Sequence, residues 1–518
     1  MKKKAMALML AAAMATGLLA CGGSDGGGTS GSATADGASG ESEAAASGED
    51  GVYFNERQHL VVAFPTWTGS PVDTEMVTEK VNEILTEKYN IEVEFQISDS
   101  GSYKQNMTLA LSGGEQIDVM STLFAGYSTM VNQGYLLDLE EDNIFQDYGQ
   151  GITEVIGKEY IDACRVDGVL YGVTNTRDYA VGRGCMAIGT EYLEGIGYEI
   201  PEGAEEIISI TAEELEDIFA RLHEKYPNLE VYRPAAVDLV QQTLIDQIGG
   251  DNFGVILGDS EELKIVNLFE SEEYKNFCKR VYNWNQLGYI SKDASTDTTS
   301  VVTLIKEGVL MAYGTGGKPG SRAQESVGCG RDMTVFQTRE DYVSSSSVAS
   351  YPWTIPITAA DPKASMILMN ELYTNAELAD LIIYGIEGRH YEITEDGFLD
   401  AGAGTNPDDY GTLGWLYPNQ FASTVPVGNS ADLWEQTEKF NNEARKSPAA
   451  GFAFDSTAIA TELTAVSNVY SEYQRSLEFG FVDPETVIPE MLEKLNAAGL
   501  QKIIAEKQAQ LDAWAAAK

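Results

Sequence analysis

The stretch QHLVVAFPTW, residues 58–67, decides the reading of this chain. Within it Leu60, Val61, Val62, Ala63 and Phe64 form an unbroken apolar run that Pro65 stops. A run apolar on both faces is the pattern of a strand buried between two layers, as in a parallel sheet. The residues that follow supply the rest of such a sheet. Over 72–89, Met76, Val77, Val81, Ile84 and Leu85 recur at helical spacing. Ile91, Val93 and Phe95 alternate with Glu92 and Glu94, which predicts a second strand. Residues 103–111 read as a helix ended by Gly113 and Gly114, and 117–120 as a third short strand. This β-α-β-α-β order predicts a parallel α/β sheet with right-handed crossovers.

The chain has 518 residues, too many for one compact core, so two lobes plus extensions are expected. Residues 179–188 read as an extended crossing segment. Thr211 caps a helix with Glu213 and Glu214 in its first turn and Leu215, Ile218, Phe219 and Leu222 as its apolar stripe. Residues 274–287 form another helix, with Phe277, Val281 and Trp284 on one side, and 309–313 are a strand candidate. Asp361-Pro362 opens a further helix. Val487, Ile488, Met491, Leu492 and Leu495, then Leu500, Ile503, Ile504, Leu511 and Trp514, predict two C-terminal helices separated at Gly499.

Towards the N-terminus the composition changes. Lys2, Lys3 and Lys4 precede residues 5–19, which are nearly all Ala, Leu and Met. That run suits the apolar region of a signal peptide and is short for a membrane span. It ends in Leu18-Leu19-Ala20-Cys21, which resembles a bacterial lipobox, in which the cysteine is acylated and becomes the new N-terminus. The alternative is an ordinary secretory signal with a chance cysteine. Residues 1–20 are thus expected to be a lipoprotein signal peptide, and 21–55 the lipidated, palmitate-type Cys21 and a linker. Residues 22–51 contain only Gly, Ser, Ala, Thr, Asp and Glu, so they are expected to be disordered. Thirty such residues reach about 30 Å, enough to lift a folded body off a membrane.

The formal net charge is −46. A surface that acidic repels phosphate backbones and argues against nucleic acid as a partner. Cys164, Cys185, Cys278 and Cys329 have wide, irregular spacings, which leaves buried thiols and bridges both open. No CxxC, HExxH, GxSxG or P-loop occurs, and His59, His223 and His390 are far apart. No metal and no cofactor are expected. The acidic Gly-rich loop 396–409 lacks EF-hand spacing and reads as a solvated loop rather than a Ca²⁺ site.

Several fragments, in order, resemble the family 1 type of extracellular solute-binding proteins of ABC importers. Ser112-Gly113-Gly114-Glu115-Gln116-Ile117-Asp118 resembles their SGGExxD segment. Lys306-Glu307-Gly308-Val309-Leu310-Met311-Ala312 is similar to their F-x-x-G-x-x-A-M strand, and Thr354-Ile355-Pro356 with Asp361-Pro362-Lys363-Ala364 to the start of their long helix. Tyr384-Gly385-Ile386-Glu387-Gly388-Arg389-His390-Tyr391 and the tail from Gly480 to Trp514 look like the LipO-like branch, lipoproteins with a C-terminal DUF3502-like region. Met186-Ala187-Ile188-Gly189 departs from the pattern by lacking the usual arginine or asparagine.

The resemblance implies an α/β, two-lobed, hinged periplasmic-binding-protein-like fold of type II, with extra C-terminal helices. Lobe 1 would comprise 56–172 and 336–395, and lobe 2 would comprise 173–335 and 396–518. It implies a monomer, lipid-anchored outside the cytoplasm, that captures a carbohydrate in an interlobe cleft, delivers it to ABC permease subunits and performs no chemistry. The alternatives are a surface glycoside hydrolase and a glycan-binding adhesin.

Sugar binding needs flat aromatic faces and planar polar groups. Trp67 follows the first strand, where α/β ligands bind, and reads as a cleft platform or a partly buried core residue. Phe124 and Tyr127 follow the third strand. Arg177, Asp178 and Tyr179 lie near the expected crossing. Trp353 is a second candidate platform or a core tryptophan, Tyr313 ends a strand, and Trp415 and Tyr417 sit in a Gly-rich loop. The ligand-binding set is therefore Trp67, Tyr127, Arg177, Tyr179, Tyr313, Trp353 and Trp415. Trp284, Trp434 and Trp514 fall on helical stripes and read as packing. Glu387 and Arg389 could brace the hinge through a salt bridge or touch ligand, and the structural role is the one expected; Asp118 is expected to cap the next turn instead of binding sugar.

Overall fold

A computed structural model describes residues 53–201 and 207–517. The expected signal peptide, Cys21 and the linker up to residue 52 lie outside the described residues.

The run that opens the sequence reading is the strand Gln58–Thr66. It pairs in parallel with Ile91–Asp99 on one side and Val119–Ser121 on the other. Trp353–Thr354 and Gly172–Val173 extend this five-stranded sheet antiparallel. Both faces of the first strand are covered, which is why its apolar run is unbroken. Leu60, Val62 and Phe64 pack with Val77, Val81 and Leu85 of the helix Thr74–Tyr89. Ala63 packs on the other face with Tyr103, Met107, Ala110 and Leu111 of Tyr103–Gly113. Asp118 does not cap the next turn. Its buried carboxylate accepts from Val61 N at 2.7 Å and Ala360 N at 2.7 Å, tying the first strand to the chain that returns from the other lobe.

A second, seven-stranded sheet is built around Val181–Gly189. Leu310–Gly317, Met333–Gln337 and Asp341–Val343 all run antiparallel to it. The helix Ala212–Lys225 starts with the predicted cap: Thr211 Oγ1 accepts from Glu214 N, and the Glu214 carboxylate accepts from Thr211 N. Its stripe, Leu215, Ile218, Phe219 and Leu222, is buried. The same core takes Phe277, Val281 and Trp284 of Glu272–Gln286, and Val466, Leu477, Ile488, Met491, Leu495 and Ile503 of the last three helices, Ala460–Glu478, Pro484–Ala498 and Leu500–Ala517. The C-terminal helices therefore complete the second lobe.

The chain passes between the sheets at 174–180, at 344–352 and again before Arg445–Lys446, which pairs with Asp341–Val343. Thr174 Oγ1 donates to Val348 O at 2.5 Å, joining the first two passages. The Asn441 side chain joins the third: its Oδ1 accepts from Tyr179 N and Ala180 N, and its Nδ2 donates to Arg177 O. The sequence divides the lobes at 335/336 and 395/396. In the structure Phe336 belongs to the second core, while Tyr410, Leu416 and Tyr417 are buried in the first. The loop 396–417 looks polar and Gly-rich on average, and three apolar anchors late in it decide where it packs.

Arg389 does not brace the hinge. With His390 it holds Asp73, at 2.6 and 3.1 Å, just before the helix Thr74–Tyr89. Cys164, Cys185, Cys278 and Cys329 are buried free thiols. No described helix is long and apolar enough to cross a membrane.

Candidate functional site

Four aromatic rings from four separated segments meet beside the first two passages. Trp67 comes from the turn after Gln58–Thr66, shaped by the Thr66 hydroxyl donating to Gly69 O at 2.5 Å with Gly69 at φ +91°. Phe124 comes from the turn after Val119–Ser121, Tyr351 from the second passage and Trp415 from a short 3₁₀ turn, Gly414–Leu416. Trp67 lies 5.9 Å from Phe124 and 6.2 Å from Trp415, and Trp415 lies 5.6 Å from Tyr351, centroid to centroid. These are ordinary aromatic packing distances. Yet Trp67 is 59% exposed and Phe124 39% exposed. The cluster is thus half finished, with ring faces still open to solvent.

Phe124 also carries strain. Five described non-glycine residues have positive φ, and four of them are Asn or Asp, which tolerate that region. The fifth is Phe124 at φ +63°. A bulky residue held there costs of order 1–3 kcal/mol and marks a position where ring placement outweighs backbone comfort.

Polar groups border the rings. The Arg177 guanidinium lies 4.8 Å over the Tyr351 ring and 5.6 Å from that of Tyr179. It donates to Asp178 O at 2.5 Å and Ser347 O at 2.6 Å, while its Nε is buried without a partner. Asp178 pairs with Lys318 at 2.9 Å, just past the strand Leu310–Gly317 of the second sheet. Asn175 Nδ2 donates to Trp415 O, anchoring the tryptophan loop to the first passage. Stacking surface and charge-assisted donors and acceptors therefore stand side by side where the lobes join.

The structure brings Trp67, Trp415 and Arg177 together from the residues predicted by sequence. It separates the others. Tyr127 is buried, and its hydroxyl donates to Cys164 O at 2.7 Å. Tyr313 is buried in the second lobe, with its hydroxyl on Glu325. Trp353 is a buried residue of the first sheet itself, its ring 6.1 Å from Phe64, and its indole donates to Leu416 O at 2.8 Å. Tyr179 is buried, lies 4.8 Å from Tyr160 with the rings tilted by 31°, and donates to Asn175 O at 2.6 Å. Burial raises the phenol pKa of Tyr127, Tyr179 and Tyr313, so all three stay protonated donors inside the protein. None of these four offers a face to the ring cluster.

Tyr351, Phe124, Asp178 and Lys318 were outside the predicted set. Tyr351 and Trp353 flank Pro352, and only the fold shows which faces out. No group of three or more His, Cys, Asp or Glu among the described residues is placed to hold a metal ion.

Comparison with known proteins bears on this arrangement. Residues 448–516 match a family described as a domain of unknown function, DUF3502. A carbohydrate ABC transporter substrate-binding protein of Streptococcus pneumoniae serotype 4 is 25% identical over 524 aligned positions, covering 99% of this chain and 98% of that protein. The crystal structure of the N-glycan transport solute-binding protein NgtS of Streptococcus pneumoniae superposes with a TM-score of 0.77 at 22% identity, over 88% of this chain and 98% of NgtS. Its complex with Man1GlcNAc gives a TM-score of 0.68 at 23% identity, over 88% and 99% of the two chains. The chain thus has the two-lobed fold of the solute-binding proteins, and its C-terminal residues 448–516 match DUF3502.

Proposed function

We propose that this protein captures an oligosaccharide on the ring cluster at the junction of its lobes and delivers it, chemically unchanged, to the membrane subunits of an ABC importer. The observation that carries the reading is the half-finished cluster of Trp67, Phe124, Tyr351 and Trp415 beside Arg177, Asp178 and Lys318. Aromatic faces cover the C–H side of a pyranose, and the charged groups meet its hydroxyls. The three-passage hinge lets lobe closure bury a ligand held there. The relatives support the class of ligand: mannose- and GlcNAc-containing glycans bound to NgtS are the first to try.

Cys21 is the proposed lipid anchor, which keeps the receptor near its transporter. Metabolic palmitate labelling of the wild type, lost in Cys21→Ala, tests it.

Calorimetry with Man5GlcNAc, shorter mannose–GlcNAc oligosaccharides and unrelated peptides tests the binding function. One glycan series should bind and should shrink the protein in small-angle scattering. Binding of peptides alone, or turnover of a chromogenic glycoside, would falsify it.

A further inference from the structure

The turn that carries Trp67 depends on one residue. Among the described residues, every hydrogen bond that ties 67–73 to a segment remote in sequence passes through Asp73. Its backbone N donates to Asp409 O at 3.2 Å. Its carboxylate Oδ2 accepts from Arg389 Nε at 2.6 Å, from Arg389 Nη2 at 2.5 Å and from His390 Nε2 at 3.1 Å. Asp73 stands at the N-cap of the helix Thr74–Tyr89 but makes no capping bond. Aspartate is favoured at that position because its oxygen satisfies free N–H groups of the first turn. Here the carboxylate turns to Arg389 and His390 instead.

The segment 384–391 is shaped to meet it. Gly385 has φ +95°, and a Cβ there would lie 2.4 Å from His390 Nδ1. Ile386 N donates to His390 Nδ1 at 2.8 Å. That bond fixes the tautomer: Nδ1 offers its lone pair, so Nε2 holds the proton and donates to Asp73. The hydrogen bonds from His390 and Arg389 hold the Asp73 carboxyl below the usual carboxylate range, so it stays an acceptor. The same segment reaches the other tryptophan. Arg389 O accepts from Asn406 N at 2.7 Å, and Asn406 O accepts from Asp409 N at 3.2 Å. Asp73 stands six residues after Trp67, and Asp409 six before Trp415.

We propose that Asp73, Arg389 and His390 are positioning residues for ligand binding: they hold the Trp67 turn against the loop that carries Trp415 and so set the gap between the two rings. Trp415 is also fixed independently, by Asn175 Nδ2 donating to its O and by Thr412 Oγ1 donating to Ile382 O at 2.7 Å. The Trp67 turn has no second remote hydrogen bond of that kind among the described residues. Releasing Asp73 therefore loosens Trp67 and leaves Trp415 in place. Rings already in position bind a ligand without the entropic cost of ordering them first. The effect on affinity rests on the function proposed above, whereas the placement of the ring does not.

The Arg389 side chain is 44% exposed, so Arg389→Ala needs no repacking of a core, and Asp73→Asn removes the charge at nearly constant volume. Fluorine NMR of the full-length protein labelled with 5-fluorotryptophan reads ring placement without ligand, its signals assigned by Trp67→Phe and Trp284→Phe. Both variants should shift and broaden the Trp67 signal and leave that of Trp284, buried in the second core, unmoved. Calorimetry reads the consequence. Arg389→Ala should weaken Man5GlcNAc binding about tenfold by loosening an anchor. In a Trp67→Ala background the same change should cost less than about twofold, because the ring it places is gone. A role in stability alone gives the same loss in both backgrounds. The proposal is overturned if the Trp67 signal keeps its wild-type position in both variants, or if the two losses are equal. Wild type that binds no glycan would sink the oligosaccharide function, with the Trp67 signal still deciding the placement.

Discussion

Two aromatic clusters in this protein use the same three residue types at nearly the same spacings to opposite ends. In the second lobe Trp284 sits 5.1 Å from Phe219 and 5.0 Å from Tyr232, and Phe219 sits 6.2 Å from Tyr289. All four are buried in one core, Phe219 and Trp284 on helices, Tyr232 on a strand and Tyr289 just past a helix end. At the lobe junction Trp67, Phe124, Tyr351 and Trp415 stand 5.6–6.2 Å apart on turns and passages, with rings open to water. The first cluster is closed by its own chain, and its rings contribute to stability. The second stops short of closure, and one of its members, Phe124, is held in a strained conformation. The contrast shows that pair geometry alone does not separate packing from recognition. The separating quantity is whether the chain itself covers the last face.

The comparison breaks most visibly at Trp284. Trp284→Ala should lower unfolding stability by about 4 kcal/mol, the usual cost of emptying an aromatic core site. Trp67→Ala should change it by less than about 1 kcal/mol. Urea unfolding of both variants measures this, and equal losses would erase the distinction.

The packed lobe also carries a pH signature. Burial pushes the Glu478 carboxyl up to about 7, while Tyr470 and Tyr274 hydroxyls donate to it. Unfolded, it titrates near 4.5. Between these values the unfolded chain has released the proton and the folded one has kept it. This group's contribution to stability therefore falls as pH rises from about 4.5 to about 7, and is constant outside that window. Glu478→Gln should match wild type at pH 4 and exceed it by about 3 kcal/mol at pH 8. A constant difference between the two proteins across that range would show that the carboxylate does not titrate as described.

Binding shows the other side of the contrast. Trp67→Ala should cost about 2 kcal/mol of oligosaccharide affinity, about thirtyfold, as for a stacking anchor. Trp284→Ala, measured where it remains folded, should leave affinity within about threefold. The smallest effect is expected at Lys318→Met. Removing its partly exposed pair with Asp178 should shift stability by less than about 1 kcal/mol. A loss above about 2 kcal/mol would make that pair part of the scaffold.

The cluster was legible only in part, for a definable reason. Trp67 and Tyr127 both follow strands, and Trp353 and Tyr313 lie in them, so all four share the local signal of a strand-end aromatic. What assigns Tyr127, Tyr313 and Trp353 to the interior is a partner far along the chain: Cys164 O, Glu325 and Leu416 O. Phe124, a weaker candidate by the same strand-end signal, and Tyr351 stay outside the predicted binding set for the mirror-image reason. Each sits two or three residues from a more conspicuous aromatic, and only the backbone path turns it outward.

Local pattern was sufficient for the parallel start of the first sheet, the Thr211 and Asp361 caps and the amphipathic C-terminal helices. Those features depend on residues a few positions apart, where periodicity and hydrogen-bond reach act directly. Tertiary structure alone decided that 410–417 returns to the first core, that three passages share one hinge, and that four distant rings meet beside it. Each of these outcomes joins segments remote along the chain, so it follows from which surfaces remain uncovered once the local elements have formed.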